Sequence, residues 1–437
     1  MENFNQKLGN RILNILLFLA LIVAVFGFIV DFENTLTYGG VDLRNRVVAA
    51  RLLIDGIDPY YFKWHQGMSD LLLDPKTHPS WPVSRATIPP TVLMLHATIA
   101  NLPYIYQKII WFALQWGLLL LNLAILANIA NSQVKSKLVL IVGLLFFSGS
   151  YFWHFHVERG QIYIVYVFLL SCAYWLAQKP FKYNYVLSGF LVGITASLRL
   201  PIVVMFIPMI LYKQWKILTG AIVGILSGLF FSVSFAGISI WKSYFSAMKV
   251  WEQVHSGLME FNSSARWNDS HTGYPKQIEG MSNLSTALEL PVDDTSLQYL
   301  FKEIGIQLYP NMLKLMLCIA LLSISFFIYR NRNLKNPINL LFLSGMLMVL
   351  VSEHFLPVTR NNYNNIQWLL PVSITIISSN PISFLLSKSS IVLLLSLFLS
   401  IGFTWMPYSV LASDIAIMLY TLIMLLVLAR KNNQLTA

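Results

Sequence analysis

Apolar stretches of about 20 residues recur from one end of this chain to the other, separated by short polar breaks. An α-helix needs about that length to cross a hydrocarbon layer roughly 30 Å thick. Twelve such runs are predicted, at about 12–30, 110–131, 137–153, 160–178, 184–198, 200–213, 217–241, 310–329, 336–352, 366–385, 389–405 and 409–429. The first follows a polar stretch holding Lys7 and Arg11 and has no small-residue cleavage site, so it reads as a retained helix. Short alternating segments are absent, which excludes an outer-membrane barrel. The expected fold class is all-α, a single polytopic membrane domain over residues 1–437 with about 12 transmembrane helices.

Two polar segments are too long to be simple connectors. The first covers 31–108 and holds a helical stretch at 47–54, then a Pro/Trp/His-rich loop. It closes on an apolar piece at 91–102 that is too short to span and reads as an interfacial or re-entrant helix. The second covers 242–309 and is rich in Trp, Asn, Ser and Asp. Glycosylation-type triplets at Asn262, Asn268 and Asn283 occur there, a pattern too frequent to carry weight.

Charge orients the chain. Only 11% of residues are charged, against roughly 25% in soluble domains, which excludes a cytosolic enzyme with a solvated surface. With the N-terminus inside, 14 of the 30 Lys and Arg residues fall in seven short cytoplasmic segments. Every acid except Glu2, and all eight His, falls on the other side or near a helix end facing it. The short-loop bias therefore places both termini in the cytoplasm and the two long segments outside. Cys172 and Cys318 sit in apolar runs and read as buried thiols, not a disulfide or metal pair.

The polar inventory makes the outer face the working face. No Walker loop, dinucleotide glycine pattern or metal-spaced Cys/His set occurs, and the inner loops leave no room for a nucleotide-binding domain. No nucleic-acid partner is expected. Five outer clusters carry candidate chemistry. In the first, Asp42 precedes Arg44 and a helical stretch, followed by Asp58-Pro59-Tyr60. Asp42 suits a general base at the membrane surface, and equally an N-cap for a helix beginning near Leu43; Asp58-Pro59 reads as a turn. The second is Pro89-Pro90, a good helix opening. The third joins His154, His156 and Glu158, either a metal set or cavity lining, to Gly160-Gln161, whose amides would suit a phosphate at a helix start. The fourth is Arg199 before Pro201, a charge at membrane depth that faces a cavity or snorkels to headgroups. The fifth is Glu353-His354 with Arg360, Tyr363 and several Asn, where Arg360 matches a phosphate bidentately or the cluster is a solvated turn.

Taken in order, these motifs resemble glycosyltransferase family 87, membrane mannosyltransferases of the GT-C superfamily. The resemblance rests on Gly40-Val-Asp42-Leu, Ala49-Ala50, Gly56-Ile-Asp58-Pro59-Tyr60, Pro89-Pro90, Gly160-Gln161, Arg199-Leu-Pro201 and Gly280-Met-Ser-Asn283-Leu-Ser285. It implies a polyprenyl-phosphate-linked sugar, typically mannose, as donor substrate, with no resident cofactor established. It implies inverting transfer to a hydroxyl of a glycolipid or glycan on the non-cytoplasmic side of a bacterial inner membrane. The family's aspartate falls on Asp42, which would be the base, while Arg44, Asp58, Tyr60, Gly160, Gln161, Arg199, His354, Arg360 and Tyr363 would contact substrate. The family commonly has an aromatic shortly after that aspartate, where this chain has Asn45 and Arg46; its Lys-x-x-Pro-like element appears as Arg199-Leu-Pro201, which keeps the cation. The competing class is a multi-span transporter or lipid-linked sugar flippase. Such folds usually show paired repeats, and the two halves here differ in loop plan.

Overall fold

The computed structural model describes residues 2–260, 294–332, 337–356, 360–379 and 387–434. Within them every regular element is helical, apart from one antiparallel bridge between Asp294 and Asn361. The helices are α1 Glu2–Thr37, α2 Val41–Ile54, α3 Pro90–Ala97, α4 Tyr104–Ile129, α5 Gln133–Ser148, α6 Tyr151–Glu158, α7 Tyr163–Ala177, α8 Asn184–Leu198 and α9 Phe206–Leu211. They continue as α10 Trp215–Ala236, α11 Ile238–His255, α12 Leu297–Glu303, α13 Pro310–Arg330, α14 Ile338–Phe355, α15 Leu369–Ser378, α16 Lys388–Leu399 and α17 Ser409–Gln434. The triplets at Asn262, Asn268 and Asn283 and the stretch 280–285 lie outside the described residues.

Each apolar run of the sequence coincides with a helix, but the lengths depart from twelve full spans. Among the described residues six helices are long and apolar enough to cross a membrane, within α1, α4, α10, α13, α14 and α17. A seventh arises if α5 and α6, bent by 60°, form one broken span. Several runs are interrupted by identifiable breaks. Gly149 and Ser150 interrupt the run at 137–153, and Gly160 delays α7 until Tyr163. Arg199 and Pro201 convert the start of 200–213 into a 3₁₀ turn, Leu200–Met205, because proline supplies no amide to the preceding turn. Gly237, at φ +82°, ends α10 and starts α11 as a separate helix.

Packing follows side-chain size. Along α14 almost every residue from Ile338 to His354 is buried, which makes it the central helix. By contrast α13 buries only Leu313 and Ile328 and presents an apolar surface outward. Helices α8 and α10 approach backbone to backbone. A Cβ on Gly189 or Gly193 would meet the carbonyls of Ile217 or Ala221 at 1.9 and 2.0 Å, and Gly220 and Gly224 meet α8 in the same way. Such small-residue spacing lets van der Waals packing hold helices together where lipid removes the hydrophobic drive.

Within 31–108 the two helices expected outside appear as α2 and α3. The first helix runs on to Thr37, so only Tyr38, Gly39 and Gly40 separate it from α2. Both glycines adopt positive φ, +73° and +70°, which lets the chain reverse at once. That turn sets the site.

Candidate active site

Helix α2 begins against the end of α6. Its leading amides have no intrahelical acceptors, and the last residue of α6 and the one after it supply them: Gly40 N–H donates to Glu158 O at 2.6 Å, and Asp42 and Leu43 donate to Arg159 O at 3.1 and 3.2 Å. Asp42 is therefore not the helix cap. Gly40 holds that position, and no side chain caps the helix. The Asp42 carboxylate is left for other partners.

It finds three. Arg159 donates from Nε to Oδ2 at 2.6 Å and from Nη2 to Oδ1 at 2.9 Å, a bidentate fork. Arg85 donates from Nη2 to Oδ1 at 3.2 Å, and the Gln161 amide donates to Oδ2. Gln161 in turn accepts from Arg46, whose Nη1 donates to Gly160 O at 2.7 Å. Burial pushes the Asp42 carboxyl up, but the Arg159 charge and hydrogen bonds, with Arg85 and Arg46 behind them, outweigh it and hold it down at about 2. The carboxylate is ionised at neutral pH and keeps 13% of its surface open.

Gly160 works through its shape. At φ +68° it closes α6 in a Schellman-type turn, with Gly160 N–H donating to Val157 O and Gln161 N–H to His156 O. Both amides are thus occupied within α6 rather than presented to a phosphate. A Cβ on Gly160 would meet Leu43 Cβ at 2.7 Å, so glycine is what lets α2 seat here.

A second polar cluster gathers α14, α17 and the 3₁₀ segment Asn362–Trp368. Glu353 accepts from Arg199 Nε at 2.8 Å and from Gln367 at 2.8 Å. Arg360, only 1% exposed, forks onto Asp414 and donates to Asn365 at 2.9 Å and Thr295 at 2.7 Å. His354 lies against the same carboxylate, 3.3 Å from Asp414, and Trp368 donates to it at 2.6 Å. Aromatic rings link the two clusters: Arg199 sits 4.5 Å over Tyr163, Arg159 lies 5.9 Å from the Tyr363 ring, and the two tyrosine rings are 5.6 Å apart.

The charges differ between the clusters. Around Asp42 three guanidinium groups, Arg46, Arg85 and Arg159, face one carboxylate, with Asp74 3.7 Å beyond Arg85. That surroundings favours an added anion. In the second cluster Glu353 and Asp414 balance Arg199 and Arg360.

The structure thus brings together Asp42, Gly160 and Gln161, and separately Arg199, His354 and Arg360, with Tyr363 between. The others stand apart. Arg44 ties α2 to the following loop through the carbonyls of Leu73 and Asp70. Asp58 accepts from Tyr60 N–H in a turn, and the buried Tyr60 hydroxyl donates to Ile88 O. The His154, His156 and Glu158 set does not converge: His154 pairs with Asp31 at 2.6 Å, whereas His156 contacts Gln115 and stacks on Trp153. Among the described residues no group of three such side chains is placed to hold a metal ion. Sequence reasoning missed Arg85, Arg159 and Asp414. Asp414 alone carried a signal, a lone charge inside an apolar run, which at membrane depth costs enough to imply a partner, whereas Arg85 and Arg159 stand in polar stretches among other charges.

Known proteins bear on this arrangement through one match. The model of glycosyltransferase family 87 fits residues 87–352, more than half of the chain. Asp42 precedes the matched stretch, and Arg360 and Tyr363 follow it. Neither the curated proteins nor the solved structures include a significant match.

Proposed function

The chain belongs to glycosyltransferase family 87, and on that premise we propose that it transfers a mannosyl unit from a polyprenyl phosphate to an acceptor hydroxyl on the non-cytoplasmic side. It is a membrane glycosyltransferase; the donor, the sugar, the side and the mechanism are our reading. The further short helices complete a twelve-pass arrangement in this reading, with both termini in the cytoplasm.

Asp42 acts as general base. It takes the acceptor hydroxyl proton as that oxygen attacks the anomeric carbon. The bond from that carbon to the phosphate oxygen breaks, and its electron pair leaves with the polyprenyl phosphate. One carboxylate suffices, and the anomeric configuration inverts. A donor dissolved in the bilayer presents its reactive carbon at the interface, which suits a base carried by a helix just beyond α1. The leaving phosphate needs cations. Arg159 and Arg85, in the positively charged surroundings of Asp42, suit that task, and Arg199 remains the candidate carried by the family resemblance. A phosphate that draws Arg159 away would also raise the basicity of Asp42, so that donor binding prepares the base.

The observation that carries this reading is the Asp42 carboxylate held among three guanidinium groups at the start of α2. Incubating the purified chain with labelled polyprenyl-phosphate mannose and a membrane extract tests it. A labelled product is expected. No product, with folded protein and each of several polyprenyl-linked sugars, overturns it.

A further inference from the structure

One face of α2 carries more than the base. Asp42 lies one turn before Asn45, and Ala49 one turn beyond, so the three share a stripe. Beneath that stripe the loop from Pro59 to Ala86 folds back and leaves a half-open cavity of about 30 Å³, lined in part by Asn45, Ala49, Lys63, Trp64, Asp74 and Thr77. That space holds roughly two water molecules. It is too small for a sugar ring and the right size for a hydroxymethyl arm.

The lining chemistry narrows the occupant. Asp74 accepts from Asn45 and Thr77, each at 2.9 Å, and Lys63 donates to Val83 O at 3.1 Å, so a carboxylate and an ammonium group both stand in a wall otherwise made mostly by apolar side chains such as Val48, Leu52 and Phe62. A phosphate would meet the Asp74 carboxylate, and an ammonium group would meet Lys63. A neutral hydroxyl both donates and accepts, and suits both. Trp64 supplies an apolar wall for carbon-bound hydrogens. The link to the base is Arg85: its Nη2 bonds Asp42, while its Nη1 is buried with no hydrogen-bond partner, 3.7 Å from Asp74.

We propose that this cavity is an acceptor subsite that receives the hydroxymethyl arm of a pyranoside, one guanidinium away from Asp42. The assignment rests on the transferase reading for its place in the reaction, and its binding chemistry stands apart from turnover. An arm held there leaves the rest of the ring lying across Arg85 toward Asp42, where a ring hydroxyl would be deprotonated. Arg85, bonded to Asp42 and 3.7 Å from Asp74, thus joins the subsite to the base.

Saturation-transfer NMR on the full chain in lipid nanodiscs decides it, with methyl α-D-mannopyranoside and its 6-deoxy counterpart as probes. The parent sugar is expected to bind at least tenfold more tightly, because a site built to hydrogen-bond a hydroxyl rejects the analogue lacking it. Thr77→Val, which keeps the shape and removes one hydroxyl, is expected to lower that preference at least fivefold. Ala49→Leu, which fills the space, is expected to abolish binding. Equal binding of the two sugars, no binding by the wild type, or unchanged preference in folded Thr77→Val protein each overturns the subsite. Because no donor is present, loss of the transferase reading would show separately, as absence of labelled product from the polyprenyl donor.

Discussion

Arg159 grips Asp42 through two parallel N–H···O bonds of 2.6 and 2.9 Å, although 117 residues separate them in the chain. The grip follows from one junction. Helix α2 starts on the carbonyls that end α6, so the residue after α6 and the first-turn acid of α2 face each other. Charge and backbone geometry agree there.

Removing the proton acceptor tests the base. Asp42→Asn leaves the Gly40 cap and the backbone bonds to α6 intact, so the protein folds, while initial transfer rates fall by roughly 10²-fold or more. Asp58→Asn keeps its turn, since Asn forms the same local bond, and stays near wild-type rate. Full activity of Asp42→Asn ends the mechanism.

Acid behaviour gives a second measure. With Asp42 held at about 2, the acid limb of the pH–rate profile lies below the ordinary carboxylate value of 3.8. Arg159→Gln removes the main force holding it down, so the limb moves to higher pH. The pairing also contributes stability, present in full above 3.8 and lost as pH falls through about 2. A limb that does not move in Arg159→Gln separates Asp42 from catalysis.

Arg360 is expected to register first in stability. Its guanidinium and the Asp414 carboxylate are both sealed from solvent, and breaking a buried pair by removing one partner costs about 3–5 kcal/mol. Arg360→Ala therefore lowers the thermal midpoint by many degrees. Arg360→Lys recovers only part, because an ammonium cannot reproduce the fork. Thermal unfolding beside donor affinity shows which loss is larger, and a stable variant with weakened donor binding returns Arg360 to direct phosphate contact.

Gly160 and Gly56 form a matched pair. Both have positive φ, +68° and +71°, but a Cβ on Gly56 meets nothing within 4 Å while one on Gly160 collides with Leu43. Gly56→Ala thus reports backbone strain alone, about 1 kcal/mol. Gly160→Ala adds a displaced α2 and lowers transfer as well. Equal effects on rate would remove the junction from the mechanism.

Sidedness is testable by labelling. In a chain with Cys172 and Cys318 replaced by Ser, single cysteines are placed at the exposed Ser80 and Asn131. An impermeant maleimide is expected to reach Ser80→Cys from the non-cytoplasmic side and Asn131→Cys only from the cytoplasmic side. The reverse pattern overturns the orientation.

Hydropathy alone determined the all-helical membrane class, the place of nearly every helix and the two helices between 31 and 108, because lipid forces backbone hydrogen bonds to close within each segment. It overstated their length. A run of apolar residues does not reveal that Gly149, Arg199-Leu-Pro201 or Gly237 will break it, since a break depends on what neighbouring helices offer the freed backbone groups. The glycine spacing at 189, 193, 220 and 224 was visible in the chain, but only packing shows that α8 and α10 meet there. The same division holds at the site. Asp42 stood out as an acid beside an apolar helix, and its family motif marked it. Its partners Arg85 and Arg159 did not, because they acquire meaning only through the residues that folding brings against them. Proximity across 117 residues is set by how α2 seats on α6, and no local pattern records that contact.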